Sequence, residues 1–460
     1  MRRVPLIVGI LGVFTVILGV AVLLLGLLLY QTTPKDVLAQ QTFIGRMQSV
    51  LVSVRIADRA LNIFYRGPRP EEALPHYNLA LDRKQLATID ASLPIDDVYL
   101  SDDAKIWADG SLTSDGETYP VRARVRGDRY NHWRFRKKSW RLSFEDDRLF
   151  RGIKEVNLII PEDRAWFVEA LSAYRADAFG LFHPPMRFVT ASINGGDAML
   201  YLEIEHWTKE MLEKQAKPGD VNLYKTGSVG TSHFNLGWDP IEADIAYWGK
   251  YQGAVAPPLD SYEEAELMLR FAEEGAHEDP AFQRKIETLF DREGLIRWYG
   301  LSLLAGNLHV SGDNLRFFFD VSRGRYQPIV WDIFSTMPRP EMLDLRGEVG
   351  GNSFWREVFS IPSMHADALR FVLAYVNDEE RVEQDLAEAE RLRAQIERAA
   401  YSDSVKLPSN RQVKRDLDQR MREVRANIDF LRENVPALLT ELEASEPVGS
   451  DELRASSFEQ

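Results

Sequence analysis

Apolar residues dominate the start of the chain and then settle into two different rhythms further along. Leu6 to Tyr30 is a run of 25 residues without a charged side chain. At about 1.5 Å of helical rise per residue it would cross a hydrocarbon layer of about 30 Å, whereas a cleavable signal has an apolar stretch of only about 7–15 residues. The expectation is one uncleaved transmembrane helix, held in a lipid bilayer through residues 6–30. Arg2 and Arg3 before it, against Lys35 alone close behind, place the amino terminus in the cytoplasm and the main domain outside, periplasmic or extracellular.

From 35 to 78 apolar positions such as Val37, Leu38, Ile44, Met47 and Leu51 recur mostly at helical spacing, which predicts a juxtamembrane helical stalk. After Leu79 the pattern becomes short runs between turn signals, as in Val98 to Leu100, Asp109-Gly110, Asp115-Gly116 and Val121 to Val125. A helix is expected to open near Pro161 and to end at Gly180. Strand-like and helical segments then mix through residue 361, which predicts an α+β domain over 79–361. Beyond it, Val382, Leu386, Ala389, Leu392 and Ile396 repeat at steps of three and four, as do Val413, Leu417, Met421, Val424, Ile428, Leu431 and Val435. With Ser409 and Gln412 as a capping box, they predict a helical hairpin over 362–443 laid on the domain. Residues 444–460, rich in Ser and Glu, read as a disordered tail.

Composition changes this picture only by exclusion. Over 460 residues the net charge is −14, so the chain lacks the general basic face of a nucleic-acid coat and no nucleic-acid partner is expected. The absence of cysteine excludes disulfides, thiolate nucleophiles and zinc ribbons.

Against that acidic background, Val121 to Arg141 holds nine basic side chains and one acid, Asp128. A strand there puts Arg122, Arg124 and Arg126 on one face and Val121, Ala123 and Val125 on the other. Arg126-Gly127-Asp128 reads as a turn whose glycine lets the backbone approach a ligand, and Ser139 to Phe144 as a returning strand with Arg141. Planar guanidiniums suit phosphate and carboxylate, which makes the segment a candidate cradle for a polyanion or nucleotide phosphate; a solvated basic sheet edge is the other reading. A second strand, Leu200 to Glu205, sets Tyr201, Glu203 and Glu205 on one face, where the carboxylates could orient Lys225 or Lys138, help hold a cation, or simply face solvent. A third piece runs from Gly306 through His309, Asp313 and Asn314, then along a hairpin to Trp331-Asp332. Asp313, Asn314 and Asp332 carry the hard oxygen donors that Mg²⁺ accepts, and His309 could serve as a base. Turn chemistry and strand-end capping explain the same residues without a site.

The ordered set Arg126-Gly127, Lys137 to Leu142, Leu149 to Gly152, Asn157-Leu158, Tyr201 to Glu205, Asn222 to Lys225, Asn314 and Trp331-Asp332 resembles the CotH family, the spore coat protein H-like atypical kinases. That resemblance covers roughly residues 95–340. It implies a reduced protein-kinase-like domain that passes a phosphoryl group from ATP, with Mg²⁺ or Mn²⁺, to a protein or cell-envelope acceptor. It makes Asp332 and Asn314 the metal ligands, Lys138 or Lys225 the phosphate contact, and Glu205 the ion-pair partner. Two departures follow. The aspartate common five residues before the loop asparagine is His309 here, leaving Asp313 or His309 to act as base, and Ile333-Phe334 replaces the second acid often seen as Trp-Asp-x-Asp. A catalytically inactive envelope module that binds an anionic glycan or polyphosphate through Arg122, Arg124 and Arg126 is the alternative.

Overall fold

The computed structural model describes residues 15, 17–20, 64–94, 100, 104–217, 221–226, 248–252, 276–307, 314, 316–320, 322–335, 337–343 and 357–445. The expected membrane anchor lies outside them except for residues 15 and 17–20, which are helical and exposed, as do residues 35–63 of the stalk and 446–460 of the tail. No described helix is long and apolar enough to cross a membrane.

Seven strands close into a barrel: β1 (His76–Leu81), β2 (Ala108–Ser114), β3 (Glu117–Val125), β4 (Trp140–Phe144), β5 (Glu155–Ile159), β6 (Met186–Ile193) and β7 (Met199–Glu205), in the order β1-β2-β3-β4-β5-β7-β6. All pairings are antiparallel except β1 with β6, where His76 stands opposite Thr190. Between β1 and β2 lies α1 (Arg83–Ser92), capped by Asp82, whose side chain accepts from the Lys84 and Gln85 amides. Alternate residues fill the lumen, among them Tyr77, Leu112, Ala123, Leu142, Leu158 and Tyr201. The first strand thus begins ahead of the domain boundary expected at residue 79.

The helix expected from Pro161 divides into a 3₁₀ turn, Pro161–Arg164, and α2 (Val168–Ala178). Ala165 and Trp166 separate the two with φ of 48° and 67°, which breaks the helical run. After β7 come α3 (Lys209–Lys214), β8 (Asn222–Thr226), β9 (Trp248–Gln252), α4 (Pro280–Leu289), α5 (Arg292–Ala305), β10 (Arg316–Asp320) and β11 (Arg325–Pro328). The four strands form a second sheet ordered β11-β10-β8-β9. The last helices are α6 (Pro362–Asn377), α7 (Glu379–Ser402) and α8 (Asn410–Ser445). Their stripes join α2, α5 and the outer face of β7 in one core that includes Leu200, Leu202, Ile204, Trp298, Leu392 and Leu417. The α+β expectation is met, yet a closed seven-stranded barrel is not obviously the reduced kinase-like architecture that the resemblance implies.

Buried polar contacts fasten these helices to the rest. Arg175 on α2 donates to both carboxylate oxygens of Asp385 on α7, at 2.7 and 2.5 Å, and Asn427 on α8 donates to the Leu303 and Leu304 carbonyls at 2.9 and 2.7 Å. Asp403, between α7 and α8, receives Lys137 Nζ at 2.6 Å and the Leu200 amide at 3.0 Å.

Candidate functional site

The outer wall of β3, β4 and β5 faces the turn Pro161–Arg164, the first turn of α2 and the segment that follows β11. On β3 the period of two sends Val121, Ala123 and Val125 into the lumen and leaves Arg122 and Arg124 outside. The two guanidinium carbons lie 5.3 and 5.1 Å from the ring centroid of Trp107, the residue just before β2. Arg126, just beyond the strand, stands 5.9 Å from the ring of Trp331. Arg141 on β4 sits opposite Arg124; its Nε donates to Asn157 Oδ1 at 3.1 Å and its Nη2 lies 3.5 Å from His206 Nδ1.

The opposing wall carries the acids. Arg164, 4% exposed, holds Glu169 through Nε at 3.3 Å and pairs with Asp332 through Nη1, over the ring of Phe334 at 5.2 Å. Asp163 receives His132 Nε2 at 3.0 Å and a hydrogen bond from Asn131. Burial raises the Glu169 pKa against the opposing pull of Arg164, and neither oxygen of its carboxylate accepts a hydrogen bond among the described residues. Burial also lowers the His132 pKa.

Charge in this cleft is not evenly matched. Burial, reinforced by the neighbouring guanidiniums of Arg164 and Arg141, pulls the Arg126 pKa down to about 9. Like charges crowding a half-buried cation disfavour its charged form. Arg126 and Arg141 make no ion pair among the described residues; around Arg126 the acids Asp163 and Glu169 offset the like charges only in part. An anion entering here would be met by several guanidiniums fixed in advance, which is where electrostatic recognition is strongest.

The other sequence candidates are distributed differently. Lys138 Nζ donates to the Phe135 carbonyl at 3.0 Å and pairs with Asp90 at 3.2 Å. Glu205 takes Lys214 of α3 at 2.8 Å as its partner in place of the expected Lys138 or Lys225, and burial raises its pKa. Glu203 lies on the lumen side, where Arg151 at 2.6 Å, Arg187 at 3.1 Å and the Tyr77 hydroxyl surround it. Lys225 stands on β8 opposite Arg316 in register, its side chain outside the described residues. His309 and Asp313 lie outside the described residues; Asn314 is half-buried ahead of β10. Gly127 has φ +93°, and a Cβ there would come within 2.3 Å of the His132 ring, so glycine is required for this packing contact.

Asp332 ends β11's extension with φ +62°, an uncommon backbone for a non-glycine residue. Its carboxylate pairs with the Arg164 guanidinium. No group of three His, Asp or Glu among the described residues could hold a metal ion.

Sequence reading missed Arg164 and Glu169 as members of the site. Their only local signal is the charged triplet Glu162-Asp163-Arg164 after Pro161 with an acid in the next helical turn, a pattern that helix-end electrostatics explains equally well.

No curated protein matches the chain. A family model described as CotH kinase protein matches residues 123–434, well over half of the sequence and from the middle of β3 to late α8. The chain therefore belongs to the CotH family.

Proposed function

We propose that the cleft receives the phosphates of a nucleotide, ATP by family expectation, and that the protein passes the γ-phosphoryl group to a hydroxyl of a protein or cell-envelope acceptor. The observation that carries this reading is the pair of guanidiniums without an ion-pair partner among the described residues, Arg126 and Arg141, beside a buried network of Arg164, Glu169 and Asp332. Phosphoryl transfer asks a protein chiefly to position its substrates and to stabilise negative charge on the transferring oxygens. Arg124, Arg126 and Arg141 supply positive charge; Trp107 packs on the Arg124 guanidinium, Trp331 on that of Arg126, and Asn157 holds Arg141. Among the described residues no group of three His, Asp or Glu could hold the Mg²⁺ or Mn²⁺ expected from the resemblance, and no step of the proposed reaction is routed through a metal. In this reading residues 6–30 anchor the domain to the bilayer.

A second reading rests on Arg122. Its guanidinium extends the row past Trp107 to the exposed end of β3, a shape that would follow an anionic glycan or polyphosphate chain.

Isothermal titration of the full chain with ATP and with long-chain polyphosphate, followed by γ-labelled ATP and mass spectrometry of labelled protein, separates the two. Saturable ATP binding with label transfer supports the phosphotransferase. Polyphosphate binding without ATP binding replaces it with the envelope module.

A further inference from the structure

The acid that the family resemblance makes a metal ligand is held by a cation of the chain's own. Arg164 is buried, its Nη1 pairs with Asp332 and its Nε reaches Glu169 at 3.3 Å and Asp163 at 3.7 Å. The guanidinium is supported from below by Phe334, which occupies the place where the family often has a second acid. One substitution pattern thus removes a carboxylate that a divalent ion would use and supplies a ring on which a guanidinium packs.

The backbone on both sides is specialised for the contact. Ala165 and Trp166, which follow Arg164, and Asp332 itself all have positive φ, three of the seven non-glycine residues that do so among those described. Left-handed conformations at non-glycine positions are strained and persist where surrounding structure requires them. Here they bring Arg164 and Asp332 into direct contact on one wall of the site.

We infer that Arg164 is a resident cation that stands in the place of the divalent metal, so that this site binds a polyphosphate group without Mg²⁺ or Mn²⁺. The inference rests on the proposed phosphate-binding reading of the cleft and specifies how its charge is balanced. Arg164 neutralises Asp332 and Glu169, which would otherwise repel an incoming phosphate, and Arg126 and Arg141 remain available to the anion. A divalent ion could displace the guanidinium only by leaving a buried cation without its partners, which is strongly unfavourable.

The test is isothermal titration of the full chain with inorganic tripolyphosphate in EDTA and in Mg²⁺, beside electron paramagnetic resonance of added Mn²⁺. Equal affinity within about twofold in the two buffers, with no Mn²⁺ bound, is the expected result. Arg164→Met, which keeps the length that packs on Phe334, should lose about tenfold in EDTA, the size of one charged hydrogen bond, and recover on adding Mg²⁺ as Asp332 and Glu169 become free to take a metal. Wild-type binding that needs Mg²⁺, or Mn²⁺ bound to the wild-type site, overturns the inference and leaves the phosphate-binding reading standing. No tripolyphosphate binding in either buffer defeats that reading, and the inference with it. The wild-type titrations decide the matter even where Arg164→Met does not fold.

Discussion

Charge is concentrated in two regions that use it in opposite ways. Where the C-terminal helices meet α2 and the barrel, two buried cations have their counterions: Arg175 is paired by Asp385 and Lys137 by Asp403, with all four side chains at most 3% exposed. In the cleft, Arg126 and Arg141 stand among guanidiniums, amides and aromatic rings without a carboxylate of their own. Charge buried for architecture must bring its counterion, because an isolated ion away from water is too costly to keep. Charge left unmatched at a half-open surface is arranged for something that arrives. The barrel-lumen group of Glu203, Arg151, Arg187 and Tyr77 belongs with the first kind, although its sequence marked it as possible chemistry.

That contrast can be broken at either side. The largest effect is expected at the helix joint. Asp385→Ala leaves Arg175 buried and unpaired and should lower unfolding free energy by about 3–5 kcal/mol in denaturant titration, with tripolyphosphate affinity unchanged in the fraction that folds. In the cleft, Arg126→Ala or Arg141→Ala should weaken tripolyphosphate binding by about 1–3 kcal/mol and leave thermal stability equal or slightly higher, since each relieves like-charge crowding. Should either arginine behave like Asp385, stabilising the fold and leaving affinity alone, the distinction between the regions fails.

Much of this division was legible in the chain because strands alternate. Arg122 and Arg124 follow Val121 and Ala123 in a period of two, and the structure keeps that alternation, as it does for Glu203 and Glu205 against Leu202 and Ile204. The stripes of α7 and α8 were equally plain, and Ser409 caps α8 at the Gln412 amide as the pattern predicts. Periodicity does not say which face of a strand becomes the inside of a closed barrel. It therefore gave Glu203 and Glu205 no address, and placed them as open to a ligand where they meet Arg187 and Lys214. Lys137 and Lys138 looked equivalent in one basic run. Their separation into a buried partner of Asp403 and a neighbour of Asp90 depends on chain that closes up only in three dimensions. Arg164 lies in a 3₁₀ turn with no repeat to read, and its role emerges only when Asp332 is brought opposite it.

Smaller effects sharpen the account. Raising ionic strength should weaken tripolyphosphate binding to the cleft, while the buried Arg175–Asp385 contribution to stability changes little, because solvent ions screen exposed charge far more than buried pairs. The smallest effect concerns Glu169. Its folded pKa lies above the ordinary 4.5, so its favourable contribution is complete below that value and is lost as pH rises through the raised one. Relative to Glu169→Gln, the wild-type protein should become less stable across that interval in thermal melts, and a difference that grows in the opposite direction would show that Arg164 outweighs burial there.

The most direct measurement is titration of tripolyphosphate into three full-length proteins side by side: wild type, the Arg126→Ala/Arg141→Ala double variant and Glu203→Gln. The account predicts that the double variant loses binding while remaining folded and that Glu203→Gln binds as the wild type does. Undiminished binding by a folded double variant, or its abolition by a folded Glu203→Gln, would contradict the assignment of the cleft as the anion site.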